Sequence, residues 1–189
     1  IGTVLVSKCW NIQKRGSIII GTAANMPPLN MTTKKGVPAG LDIDLAQYIA
    51  GGMGVQLQLV TKNFNDLLPA LEAGQVDMVI AGMTITPERN LKVDFAGPYH
   101  ITGKAFLTKM GAFAKVKNMA ELNSNAFTFT ALAGSTSEAL IKQAAPNAVY
   151  KPVNNYDEAV AMVLGNKADA LVSDYHACLL ALVHKKKKG

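Results

Sequence analysis

Apolar residues along this chain follow two rhythms. Ser17-Ile18-Ile19-Ile20-Gly21 is an unbroken apolar run of strand length, the pattern of a strand buried on both faces. Val76 to Ala81 is a second such run, and Val55 to Thr61 alternates with the period of a half-exposed strand. Between them the spacing lengthens. Ile43, Leu45, Ala46, Ile49 and Ala50 recur at helical intervals over Asp42 to Ala50, and Gly51-Gly52 is the expected stop. Asp66 to Ala73 reads as a helix ending at Gly74, Trp10 to Arg15 as a short helix ending at Gly16, and Asn25-Met26-Pro27-Pro28 as a loop. Strands and helices alternating in this order predict a parallel sheet covered by helices, hence an α/β fold.

The second half repeats the logic, with strands expected over Phe127 to Ala131, Ala148 to Val153 and Ala170 to Ser173, and helices over Ser135 to Ala144 and Asp157 to Leu164. Residues 63–82 overlay residues 155–174 without a gap. Asn63-Phe64-Asn65-Asp66 falls on Asn155-Tyr156-Asp157-Glu158, Asp77 on Asp169, and Met78-Val79-Ile80 on Ala170-Leu171-Val172. Both copies read aromatic, acidic first turn, apolar helix, Asp, apolar strand, and the acids suit the positive end of a helix. Common ancestry and the general likeness of βαβ units both account for the echo. Either way it implies two similar α/β lobes, with Gly82 and Asp174 at equivalent strand ends facing a cleft.

Composition narrows the classes. Of 189 residues 49% are apolar and 17% charged, which excludes a disordered or coiled-coil chain. No apolar run reaches membrane-spanning length, and no charged segment followed by an apolar one marks a leader, so a leader is expected to be removed or never present. The formal charge is +6, but Lys185 to Lys188 supply four of those charges and leave a body of +2 with only two arginines, Arg15 and Arg89. A nearly neutral body with a solvated basic tail is expected, and no nucleic-acid partner. Cys9 and Cys178 lie at opposite ends without metal-ligand spacing. Lys8 argues against lipid attachment at Cys9, and two free thiols are the expectation, with one disulfide as the alternative. His100, His176 and His184 are scattered, so neither a metal nor a cofactor is expected.

Candidate chemistry concentrates in a few stretches. In Ala81-Gly82-Met83-Thr84-Ile85-Thr86-Pro87-Glu88-Arg89 a strand leaves the sheet at a glycine, where backbone or ligand approaches closely. Thr86 is a good N-cap with Pro87 in the first turn. Backbone N–H groups, the Thr84 hydroxyl and the Arg89 guanidinium would converge there to hold a carboxylate, although a capped surface helix explains the same residues. Gly134-Ser135-Thr136-Ser137-Glu138 is a capping-box pattern and either only a helix start or a second set of donors. Asp174 ends an apolar strand, where a carboxylate would bind an ammonium group or simply form a turn. Phe64 and Tyr156, at loop-to-helix junctions, fit a core better than a ligand platform. No GxSxG, Walker loop, GxGxxG or HExxH motif occurs.

Four stretches taken together resemble one family. Gly40-Leu41-Asp42-Ile43-Asp44-Leu45-Ala46, Leu68 to Asp77, Gly82 to Arg89 and Val93-Asp94-Phe95-Ala96-Gly97-Pro98-Tyr99 look like the bacterial periplasmic amino-acid-binding proteins of ABC transporters, the family 3 extracellular solute-binding proteins. The likeness runs from about Trp10 to Asp174 with order and spacing kept. It implies the two-lobed type II periplasmic-binding-protein fold, with lobe 1 over residues 1–99, a hinge crossing at 100–102 and lobe 2 over 103–189. It also implies a non-enzymatic, monomeric receptor in the periplasm that closes on one free amino acid and delivers it to a membrane permease. Carried over by position, Arg89 would pair with the α-carboxylate, helped by Thr84 and the backbone near Gly82. Thr136 and Ser135 would donate from the other lobe, Asp174 would bind the α-ammonium, and Phe64 would flank the side chain.

The chain departs from the family pattern in two places. In the loop Thr22 to Leu29, Met26 stands where an aromatic often stacks and the usual acid is absent, which weakens the case for a cationic ligand and leaves the side-chain preference open. The family's usual return to lobe 1 beyond Asp174 is expected to be missing or altered. Two rival functions share the fold. A cyclohexadienyl-dehydratase-like enzyme would need an acid/base pair, for which Lys104 and Glu138 are the candidates, and a sensor domain would need an attached membrane segment.

Overall fold

The computed structural model describes residues 3–186, with side chains for residues 9–183. The lysine tail and His184, to which the sequence reading assigned a solvated end and a scattered histidine, therefore lie outside the described side chains. The chain divides into two compact units, Ile1–Gly97 and Pro98–Gly189.

In unit one, helix α1 (Thr3–Arg15) precedes strand β1 (Ser17–Thr22). Two short strands, β2 (Asn25–Met26) and β3 (Asn30–Thr32), follow, and then β4 (Pro38–Ala39) and helix α2 (Leu41–Met53). Strand β5 (Gln56–Thr61), helix α3 (Leu67–Glu72), strand β6 (Met78–Val79) and the short helix α4 (Pro87–Asn90) complete it. The main sheet has the order β5-β1-β6 and is parallel throughout. The unbroken apolar run became the central strand because both its faces are covered: Ile18 and Ile20 bury on one face with Ile12, Ala46, Ala50 and Ile80, and on the other a Cβ at Gly21 would meet the Leu67 and Val76 side chains. The edge strand β5 alternates exposed and half-buried positions, as its sequence does.

Three expectations shift. Helix α2 does not stop at Gly51-Gly52 but runs through them to close at Gly54, whose N–H reaches the Ala50 and Gly51 carbonyls. Both glycines face open space, so they weaken the helix without clashing and leave its hydrogen-bond ladder intact. The strand expected over Val76 to Ala81 narrows to two residues, though Asp77 N to Ile19 O (2.8 Å) and Ile80 N to Gly21 O (3.0 Å) extend the ladder at each end. Part of the segment read as a loop at Asn25-Met26 pairs instead, in a small antiparallel sheet of order β2-β3-β4.

Unit two carries β7 (Lys104–Thr108), β8 (Thr128–Leu132), helix α5 (Thr136–Ala144) and β9 (Val149–Val153). Helix α6 (Tyr156–Leu164), strand β10 (Ala170–Asp174) and helix α7 (Tyr175–Lys186) follow. The sheet order is β7-β10-β8-β9. β10, β8 and β9 are parallel neighbours, while β7 pairs antiparallel at the edge. Two cores lie on its faces. One gathers Tyr156, Ala159, Val163, Leu171 and Cys178, and the other Phe113, Phe129, Ile141 and Val172. Strand β7 was not foreseen. Its partner β10 lies more than sixty residues away, so local patterning carries no trace of the pairing.

The internal echo has a physical counterpart. Asp77 precedes β6, its N–H donates to Ile19 O (2.8 Å), and its carboxylate accepts from Ile19 N (2.8 Å). Asp169 precedes β10, its N–H donates to Thr128 O (2.8 Å), and its carboxylate accepts from Thr128 N (2.7 Å). Each aspartate therefore closes a ring with the neighbouring parallel strand and satisfies a backbone donor that no ladder bond reaches. Arg15 also pairs with Asp77. Asp169→Ala is expected to lower stability by about 1–3 kcal/mol, the cost of stranding a half-buried N–H. A urea denaturation curve superimposing on that of the parent chain would refute this role.

Candidate functional site

In unit one the site residues cluster where β6 ends. Gly82 has φ 59°, and a Cβ there would lie 2.9 Å from Leu29 Cδ1 and 3.3 Å from Met26 Sδ. The glycine is needed both for its left-handed backbone and for the side chains packed on it. Met26 and Leu29 are buried, and the segment bearing them is tied down by a polar chain. Asn30 Oδ1 accepts from the backbone N–H groups of Asn25 (3.1 Å) and Met26 (3.2 Å), and Asn30 Nδ2 donates to Asp42 Oδ2 at 2.6 Å. Asn30 and Asp42 are both fully buried. Asp42 N further donates to Leu29 O at 2.8 Å. The Gly40-Leu41-Asp42 motif thus anchors the Met26 segment to the start of α2.

Beyond Gly82 the chain builds a seat for Arg89. The Thr86 hydroxyl accepts from Arg89 N (3.3 Å) and Pro87 occupies the first turn, as the cap pattern predicts. The guanidinium donates from Nη1 to Thr84 O (2.7 Å) and lies 5.7 Å from the centroid of the Phe64 ring. Phe64 is buried, so its face is a platform for the guanidinium. Burial pulls the Arg89 pKa down and neighbouring Glu88 pushes it back up. Arginine stays charged regardless. The result is a half-buried, planar cation oriented from three sides, the arrangement suited to a carboxylate. Sequence placed Thr84 here through its hydroxyl, and the structure adds its carbonyl as the brace for Arg89.

In unit two, Asp174 closes β10 and is 8% exposed. It sits directly across from Lys104 in the β10–β7 register, and Lys104 Nζ lies 2.7 Å from Asp174 Oδ1. Ser135 caps α5 by accepting from Glu138 N at 3.2 Å, and Thr136 is the first helical residue. The reciprocal half of the capping box shifts by one. Glu138 Oε2 accepts from Gly134 N (2.6 Å), because Ser135 N already donates to Leu132 O (3.2 Å). Burial alone would raise the Glu138 pKa, but Lys142 at 2.6 Å and the Gly134 N–H together hold it below the usual carboxylate range. The two groups considered for acid/base catalysis, Lys104 and Glu138, are thus each bonded to a different partner.

Two placements escaped the sequence reading. His100 and His176, read as scattered, meet: Nε2 of the first lies 3.3 Å from Nδ1 of the second, with the rings edge to face. Seventy-six residues separate them, so only folding brings them together. Tyr156, the counterpart of Phe64 in the echo, is buried and its hydroxyl donates to Ala177 O. Cys9 and Cys178 are free thiols. Burial first, and then Asp174, push the Cys178 thiol up to about 11. Among the described residues no group of three or more His, Cys, Asp and Glu side chains could hold a metal ion, and no helix is long and apolar enough to cross a membrane.

Comparison with known structures places the class first. The fold matches an ancestral amino acid-binding protein, a precursor of cyclohexadienyl dehydratase, with TM-score 0.83 and 38% identity over 88% of this chain and 73% of that one. It also matches a mutant of the arginine-binding protein ArgBP from T. maritima, with TM-score 0.85 and 30% identity over 94% of this chain and 76% of that one. The fold is thus that of the two-lobed amino-acid-binding proteins. Residues 18–155 match the model of the bacterial extracellular solute-binding proteins, family 3, and the chain belongs to that family. Relatives include the glutamine-binding protein of Geobacillus stearothermophilus, 31% identical over 86% of this chain and 63% of that protein. The L-arginine-binding protein of Pseudomonas aeruginosa is 32% identical over 82% of this chain and 60% of that protein. The chain spans about three fifths of the length of the curated relatives it matches.

Proposed function

We propose that this protein is a non-enzymatic receptor for a free amino acid that serves a membrane permease of an ABC transporter. It works in the periplasm as a monomer, without nucleic acid, metal or cofactor. Lobe 1 covers residues 1–99, a hinge crossing residues 100–102 and lobe 2 the rest. The observation that carries the reading is the seat of Arg89, a guanidinium held by Thr84 O and the Phe64 ring, together with a buried carboxylate, Asp174, at the end of β10. One half-site offers a cation for an α-carboxylate and the other an anion for an α-ammonium. Gly82, Thr84 and Met26 attend the first, and Ser135 and Thr136 the second. The names of the matched relatives, binding proteins for glutamine and arginine, support the ligand class.

The enzyme alternative draws support from one structural neighbour, the precursor of cyclohexadienyl dehydratase, but the separate partners of Lys104 and Glu138 count against it. Calorimetry with the twenty amino acids tests the reading. At least one is expected to bind, and Asp174→Asn is expected to weaken it far more than its deaminated analogue. Silence from all twenty in a folded sample would sink the receptor reading, and equal losses for the two ligands would remove Asp174 from the ammonium contact.

A further inference from the structure

We propose that Lys104 is a built-in competitor for the ligand's ammonium at Asp174, and that it sets the affinity and class of ligand that unit two accepts. The inference rests on the amino-acid reading above. Asp174 already holds a primary ammonium, since Lys104 Nζ lies 2.7 Å from its Oδ1. The pair is not a chance surface contact. The two residues face each other in the antiparallel register of β10 and β7, and their side chains are only 11% and 27% exposed. A lysine on the edge strand β7 therefore holds the same kind of group that an amino acid would bring to this carboxylate.

A ligand's ammonium has two routes to Asp174. It displaces Nζ into solvent, or it shares the carboxylate and stands beside a second positive charge. Both weaken binding, since partial burial reduces the screening of like charges. A ligand with no ammonium meets neither penalty and finds a cation in place. Lys104 is well suited to such exchange. Lysine is a point charge on a flexible stem, and it gives up a contact more readily than a braced guanidinium does. The pairing thus favours ligands whose ammonium makes enough other contacts to evict Nζ, and it disfavours weak zwitterions.

The test measures binding of the twenty amino acids and their deaminated analogues to the full chain, to Lys104→Gln and to Lys104→Arg. Gln removes the positive charge, and its amide, though one bond shorter in reach than the lysine ammonium, can still donate a hydrogen bond toward Asp174. Lys104→Gln is expected to tighten amino-acid binding about tenfold or more and to leave deaminated analogues unchanged or weaker, while Lys104→Arg stays near the parent or binds more weakly. A parent chain that binds, with a Gln variant of equal or lower affinity and an unchanged melting curve, overturns the inference and leaves the receptor reading standing. No binding by any of the three folded proteins overturns both.

Discussion

Arg89→Ala is expected to weaken amino-acid binding severely while leaving the fold intact. The guanidinium is held by Thr84 O at 2.7 Å, by the face of Phe64 and through its own backbone N–H by Thr86. In the complex it would pair with a carboxylate withdrawn from water. Removing it would strand that carboxylate, a loss of about 2–5 kcal/mol, or roughly thirtyfold to several-thousandfold in affinity. Stability should change little, because α4 is a four-residue helix with no buried side chain. Arg89→Lys is expected to fall between, since it keeps the charge but loses the planar fork and the stack on Phe64. Calorimetry on both variants decides the matter, and near-parental affinity in the alanine variant would take Arg89 out of the site.

The largest stability effect is expected at a residue that touches no ligand. Gly40 has φ 120°, and a Cβ there would stand 2.6 Å from Pro28 O and closer still to Leu29 O. Both are backbone atoms of the segment that also carries Met26, so a rotamer change gives no relief. Gly40→Ala is expected to cost several kcal/mol, on the order of 3–5, from strain and steric displacement combined. It should also loosen the chain from Asp42 through Asn30 to the N–H groups of Asn25 and Met26, and so weaken binding beyond the loss of folded protein. Chemical denaturation measures the first effect and calorimetry on the remaining folded fraction the second. A variant melting within a degree of the parent would contradict the packing described for Gly40.

Both variants bear on how far the chain could be read without its fold. The helix start at Thr86-Pro87 was legible because capping is local: the acceptor and the N–H it serves lie three residues apart. The same holds for Ser135 and Glu138. The seat of Arg89 was half legible. Its place beside a capped helix followed from spacing, but the Phe64 ring beneath it lies twenty-five residues away in the chain. The internal echo aligned Asp77 with Asp169 correctly. Their shared task, accepting from a backbone N–H of the neighbouring parallel strand, depended on partners at Ile19 and Thr128 that no local pattern indicates.

Local order, then, was written in the chain: the apolar run that becomes β1, the α/β alternation, the caps and the glycine at Gly82. These depend on hydrogen bonds and side-chain directions within a few residues, which periodicity and composition record. Folding alone brought Lys104 onto Asp174, His100 against His176 and Asn30 onto Asp42. Each of these contacts joins segments whose separation carries no local signal, and each is made only once a sheet or a helix start has aligned them. Charge complementarity and burial decide such contacts, and both are properties of position in space.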